Sequence, residues 1–147
     1  MGDAVKTVEY TKAVSPSPAS YMGTEYEGRV KAVMGKYEAA SLGTGSTIKV
    51  GLLRKGETFI TGWVIADDLS SAGTLALGDI KASDGSTVGD ADRYLAATVF
   101  TTAGQVTQCT TEAGRMYTAT EDMIVTLTTA TEEMTGTIWV IYLKNCL

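Results

Sequence analysis

The sequence predicts an all-β protein: a jelly-roll-like antiparallel β-sandwich of about seven or eight strands, preceded by an extended N-terminal arm. Three observations carry that prediction. Short apolar segments with a period of two recur about every ten to fifteen residues. The turns between them are written in Gly, Ser, Asp and Thr. No stretch shows the 3.6-residue period of a convincing helix. With 147 residues and only 20% charged side chains, the chain is long enough for one domain to bury a core without disulfides or metals as staples.

Residues 1–27 lack a sustained period, and "SPSP" places Pro16 and Pro18 in an extended or polyproline-like stretch. Val5, Val8, Tyr10, Val14, Tyr21, Met22 and Tyr26 make this segment more apolar than a solvated tail requires. It reads as an arm that lies on its own domain or on a neighbouring subunit, with the β domain occupying residues 28–147. The start of the chain lacks the basic opening and apolar middle of a signal peptide, and no apolar run approaches a membrane span.

From Gly28 onward each element announces itself. Val30, Ala32 and Met34 alternate, as do Ile48, Val50 and Leu52 against Thr47, Lys49 and Gly51, which predicts two half-buried strands. Between them "GTGS", Gly43 to Ser46, reads as a tight turn, since it lacks the Lys-Ser/Thr ending and the following helix of a phosphate loop. "RKGE", Arg54 to Glu57, reads as a charged, solvated hairpin corner. In "TFITGWVIA" both parities are apolar, Phe59, Trp63 and Ile65 on one and Ile60, Val64 and Ala66 on the other, which suits a central strand or one whose outer face meets another subunit. "GTLALGD" is the next strand, "IKASDGSTVGDAD" a loop, and "RYLAATVF" another strand. A weak strand or loop around Val106 leads to Met123, Val125 and Leu127 alternating with Ile124, Thr126 and Thr128; "ATEEMTG" then predicts a hairpin turn into a buried last strand, Ile138 to Leu143.

Composition narrows the function. There is no histidine, which removes the usual general base, the commonest zinc ligand and every His-containing nucleophilic triad. The formal charge of -5 lacks the footprint of a nucleic-acid binder. Asp79, Asp84, Asp90 and Asp92 do not follow the spacing of a calcium loop and read as solvated turn carboxylates; Asp67 and Asp68, and Glu132 and Glu133, read as turn residues. Cys109 and Cys146 fit no metal or redox spacing and read as reduced, partly buried thiols. Trp63 and Trp139 sit in apolar runs, where a core or interface role outweighs sugar stacking. The expectation is a non-enzymatic chain with no cofactor and no metal.

The succession "LLRKGE", "LSSAGTLALGD", "DADRYLAAT" and "MYTATEDMIVTLTTATEEMTGTIWVIYL" resembles, in that order, a group of small virion proteins of tailed bacteriophages, the capsid cement or decoration proteins. The resemblance spans roughly Gly28 to Leu143. It departs from the group's pattern in lacking proline before Lys55-Gly56, in "SSAG" after Leu69 and in "EEMTGTI". It implies a β-sandwich on the outer surface of the major capsid protein lattice, often a homotrimer, with a terminal arm clasping neighbours. On that basis Tyr10, Val14, Tyr21, Tyr26, Arg54, Lys55 and Glu57 are the expected capsid or inter-subunit contacts. The alternative is a head-fibre, neck or tail-associated module that binds a receptor or carbohydrate.

Overall fold

The protein is described by a computed structural model covering residues 29–146. Among these residues nine strands follow one another: β1 (Arg29–Leu42), β2 (Thr47–Leu53), β3 (Thr58–Ala66), β4 (Thr74–Lys81), β5 (Val88–Val99), β6 (Gln105–Gln108), β7 (Tyr117–Thr118), β8 (Met123–Ala130) and β9 (Met134–Cys146). They form two antiparallel sheets. Sheet A runs β1-β9-β3-β6, with the two-residue β7 attached to β3, and sheet B runs β2-β8-β4-β5. Setting β7 aside, this order is that of a jelly roll, as the sequence predicted.

Successive strands mostly change sheet, and this overturns two local expectations. The Arg54–Glu57 corner joins β2 in sheet B to β3 in sheet A, and the turn after Ala130 carries β8 of sheet B into β9 of sheet A. Neither is a hairpin. The second crossing bends at Thr131 (φ 79°) and Gly136 (φ 139°), and its backbone bonds sideways, Thr135 N–H donating to Leu69 O at 3.2 Å. Among the described residues the one long hairpin is β4–β5, and it absorbs much of the segment expected to be a loop. Ile80 and Lys81 end β4, and Val88 to Asp92 already belong to β5. Repeated register shifts along this pair and its Gly and Asp content hide the strands from a period-two reading.

Bulges also decide which face each side chain takes. β3 shifts register against β9 between Phe59 and Thr61, so Phe59 joins Gly62, Val64 and Ala66 on the core face while Trp63 and Ile65 turn outward. A second shift, between Lys49 and Gly51 in β2, buries Leu53 and leaves Leu52 37% exposed, although the alternation Ile48, Val50, Leu52 placed it inward. On β1 the expected apolar face of Val30, Ala32 and Met34 is the outer one; Val33 and Ala39 face the core. The alternation of Met123, Val125 and Leu127 holds without interruption, and all three are buried.

The core lies between the sheets and contains Leu53, Val64, Leu75, Leu77, Phe100, Val125, Leu127, Met134, Ile138 and Val140. At one end Phe59 stacks on Tyr94 of sheet B (ring centroids 4.1 Å) and on Tyr142 of its own sheet (5.5 Å). Gly78 lies where the start of β5 crosses β4 so closely that an added Cβ would clash with the backbone of Asp90 and Ala91. Gly78→Ala is therefore expected to destabilise the fold by about 1–3 kcal/mol through overpacking, read as a lower urea midpoint at unchanged slope.

Candidate interaction surface

Charged groups at inward positions need partners, and the structure supplies two such pairs. Glu57 closes the Arg54–Glu57 corner. Gly56 turns the chain at φ 88°, and the Glu57 N–H donates to Arg54 O at 2.9 Å. The Glu57 carboxylate is buried and accepts from the Arg54 N–H at 2.8 Å and from Lys144 Nζ at 2.6 Å. Lys144 also donates to Leu52 O at 2.9 Å. The corner is thus not a solvated charge cluster. Arg54 and Lys55 are exposed, whereas Glu57 faces inward because β9 delivers an otherwise uncompensated ammonium there. Burial alone raises the carboxyl's pKa, but the bonds from Lys144 and the Arg54 amide outweigh it and leave the group below its ordinary 4.5.

Asp79 is the second case. Its side chain is 0% exposed and accepts from Arg93 Nε at 2.7 Å and the Tyr94 hydroxyl at 2.8 Å, with the Asp90 N–H at 3.1 Å. Arg93 lies over the Tyr117 ring at 4.0 Å, and its carbonyl accepts from the Thr111 hydroxyl. Burial, then the charge of Asp79, raises the Tyr94 pKa, so its hydroxyl remains a donor. Asp79 is a structural anchor and not a turn carboxylate. Asp84 does hold a turn: it accepts from the Ser86 and Thr87 amides at 2.9 Å and from the Thr87 hydroxyl, which hold its pKa at about 2. Among the described residues no group of three or more His, Cys, Asp or Glu is arranged to hold a metal ion.

Both cysteines are free thiols, Cys109 half-buried and Cys146 buried. Burial pushes the Cys109 thiol up to about 12 and raises that of Cys146, where Glu57 adds to the effect.

The outward faces of the two sheets differ in chemistry. On sheet A the ladder sets Ala32 beside Leu143; Met34 beside Ile141, whose other neighbour is Trp63; and Trp139 beside Ile65, whose other neighbour is Val106. Met34 is 66%, Val106 59% and Val30 55% exposed. Trp63 and Trp139 are half-buried members of this face and do not enter the core, because their neighbours Gly62, Val64, Ile138 and Val140 take the inward positions. Lys36 lies over Trp139 with its ammonium 5.0 Å from the ring centre, and Glu38 accepts from the Thr137 hydroxyl at 2.7 Å at the margin. Sheet B presents Thr47, Lys49 and Thr128 outward instead.

Of the expected contact residues, Arg54 and Lys55 project from the corner, Glu57 is committed internally, and Tyr10, Val14, Tyr21 and Tyr26 lie outside the described residues. The apolar face of sheet A was only half legible: two-sided apolar character marked β3, but nothing local told that Trp63 and Trp139 share the outer side. Lys144 and Asp79 did carry a signal, each being the charged residue that ends an otherwise apolar strand run.

No protein-family model matches the chain, and no curated protein matches it in sequence. Solved structures do. A chain in the capsid of Ralstonia phage GP4 superposes with a TM-score of 0.62 at 22% identity, over 80% of this chain and 84% of that one. A chain in the capsid asymmetric unit of cyanophage Pam1 superposes with a TM-score of 0.64 at 24% identity, over 92% of this chain and 96% of its counterpart. The jelly-roll fold is shared with both.

Arg93→Met leaves the Asp79 carboxylate buried without its cation and is expected to cost about 3–5 kcal/mol in urea unfolding. For Glu57 the folded-state pKa is depressed, so its contribution is present above pH 4.5 and is lost as the pH falls through the folded value. The stability advantage of the wild type over Glu57→Gln, about 3 kcal/mol at pH 7, should therefore shrink on acidification to pH 3.

Proposed function

We propose that this chain is a non-enzymatic structural component of a bacteriophage head, a cement protein bound to the outer surface of the major capsid protein lattice. The observation that carries the reading is the jelly-roll fold held in common, over most of both chains, with chains of two phage capsids. The site chemistry agrees with it. The buried carboxylates Asp79 and Glu57 are spent on internal ion pairs, and the sequence has no histidine to serve as a general base. What the surface offers is contact area: the apolar face of sheet A and the projecting Arg54 and Lys55.

A homotrimer with an arm reaching its neighbours suits this role. Each trimer engages several lattice subunits, so each contact after the first is intramolecular and modest contacts sum to strong retention. In this reading Tyr10, Val14, Tyr21, Tyr26, Arg54 and Lys55 contact the capsid or a neighbouring subunit, while Glu57 holds the corner that presents the two cations. The protein acts on the capsid exterior after synthesis in the host cytoplasm, without cofactor, nucleic acid or membrane.

One observation favours a second reading. Trp63 and Trp139 are partly exposed on one face, as a sugar-stacking platform requires, which suits a carbohydrate-binding fibre or neck module. The molar ratio to the major capsid protein in purified virions, measured by quantitative mass spectrometry, separates the two. A lattice-wide cement protein is expected near one copy per capsid subunit. A handful of copies per particle, together with binding on a glycan array, would replace this reading by the second.

A further inference from the structure

Charge is unevenly placed in this acidic chain. Residues 29–55, which hold β1, β2 and the start of the corner, carry six cations and one acid, Glu38. Residues 56–146 carry four cations and twelve acids. β1 and β2 are the edges of sheets A and B on the same side of the sandwich, so the cationic part of the sequence becomes one cationic side of the domain. Lys31 and Arg54 line the same opening between those edges, with the Lys144–Glu57 pair at its floor. Among the described residues neither the Lys31 ammonium nor the Arg54 guanidinium is in an ion pair.

β1 is also an open template. It pairs with β9 and keeps an unbroken register from Arg29 to Ala39, so on its other side a straight run of backbone N–H and C=O groups has no strand partner among the described residues. β2 offers less, since its register breaks between Lys49 and Gly51 and Leu52 O already accepts from Lys144. Nothing enters between the two edges, because two glycines bring them together. An added Cβ at Gly35 would stand 3.2 Å from Val50 Cγ1, and one at Gly51 2.9 Å from Val33 Cγ1. An incoming segment therefore lies alongside β1 as an additional strand of sheet A.

The two sides of β1 set the chemistry of that segment. Toward the outer face, Val30, Ala32 and Met34 continue the apolar surface; toward sheet B, Lys31 stands with Arg54 at the opening. A strand beside β1 matches it with apolar residues on one parity and carboxylates on the other. A second copy of β1 does not fit: antiparallel pairing of two β1 strands would gather Arg29, Lys31 and Lys36 of both copies against one Glu38 each. A nucleic acid fits poorly as well, because the acidic remainder of the domain repels a long polyanion.

We propose that β1 is a docking edge for an extended acidic segment of a partner protein, which adds to sheet A as a strand and sets its carboxylates on Lys31 and Arg54. From Val30 to Lys36 the edge runs about 20 Å, which takes about six to eight residues of alternating carboxylate and apolar side chains. The inference concerns this edge alone and does not rest on the cement reading.

Amide NMR of the ¹⁵N-labelled full chain tests it with two probes of equal charge, a blocked hexapeptide of alternating Glu and Val and one of alternating Glu and Pro. The Glu–Val probe is expected to shift amides between Arg29 and Ala39, to slow their hydrogen exchange, and to bind about tenfold more tightly than the Glu–Pro probe, which cannot form the strand ladder. A protein carrying both Lys31→Glu and Arg54→Glu is expected to bind the Glu–Val probe about tenfold more weakly with its β circular-dichroism signal unchanged. No binding, equal affinity for the two probes, unchanged affinity after the charge reversal, shifts confined to another part of the domain, or tighter binding of oligothymidylate at the same edge would each overturn the proposal. None of these outcomes depends on the copy number in the virion, which tests the cement reading separately.

Discussion

The stack of Tyr94, Phe59 and Tyr142 is the contact on which the rest of the sandwich depends. A jelly roll sends most of its connections from one sheet to the other, so local turns cannot hold the sheets in register and side chains between them must do so. Phe59 and Tyr142 come from sheet A and Tyr94 from sheet B, so the stack spans the interior. Tyr94 is held twice, by its ring on Phe59 and by its hydroxyl on Asp79, and Arg93 next to it neutralises that carboxylate. Phe59 reaches the stack only because β3 bulges after it. The same bulge turns Trp63 and Ile65 toward the outside, so one irregularity both completes the core and creates the apolar surface.

The corner built around Glu57 shows the same economy. Its carboxylate takes the amide of Arg54 and the ammonium of Lys144, and the backbone of Gly56 and Glu57 exchanges bonds with Ala119. A buried ion pair of this kind adds little over well-packed apolar groups, but it fixes the path of the chain where β2 leaves sheet B for β3 in sheet A. Arg54 and Lys55 are consequently held in a defined place at the molecular surface. The outer face of sheet A carries both tryptophans and Met34, whereas that of sheet B mixes Thr47, Lys49 and Thr128 with Leu52, so the two faces of the domain differ in chemistry.

Much of this was legible in the residues. The strand content, the Gly43–Ser46 turn and the uninterrupted alternation of β8 are local properties, and local spacing reveals them. The faces of β2 and β3 were not legible, because a bulge inserts one residue and inverts the parity of all that follow. Strand pairing failed where the chain changes sheet: a crossing between sheets and a hairpin use the same turn residues, and the difference lies in partners far along the chain. For the same reason Glu57 read as solvated, since its cation lies 87 residues downstream. Asp79 read as a turn carboxylate because it borders a segment whose glycines suggest a loop, whereas Gly78 and Gly89 there allow close contact between β4 and β5.

The longest ladder joins β1 to β9, with Arg29 opposite Cys146, so the two described ends of the chain emerge side by side from the same edge of the sheet. This arrangement gives the domain a direction of mechanical weakness. Tension drawn between these two ends meets the hydrogen bonds one pair at a time and peels the ladder open. Tension drawn between Arg29 and the broad face of sheet A runs along the strands and loads all the pairs at once. A domain held by its face and pulled through the segment before Arg29 therefore resists in shear, the stronger of the two geometries.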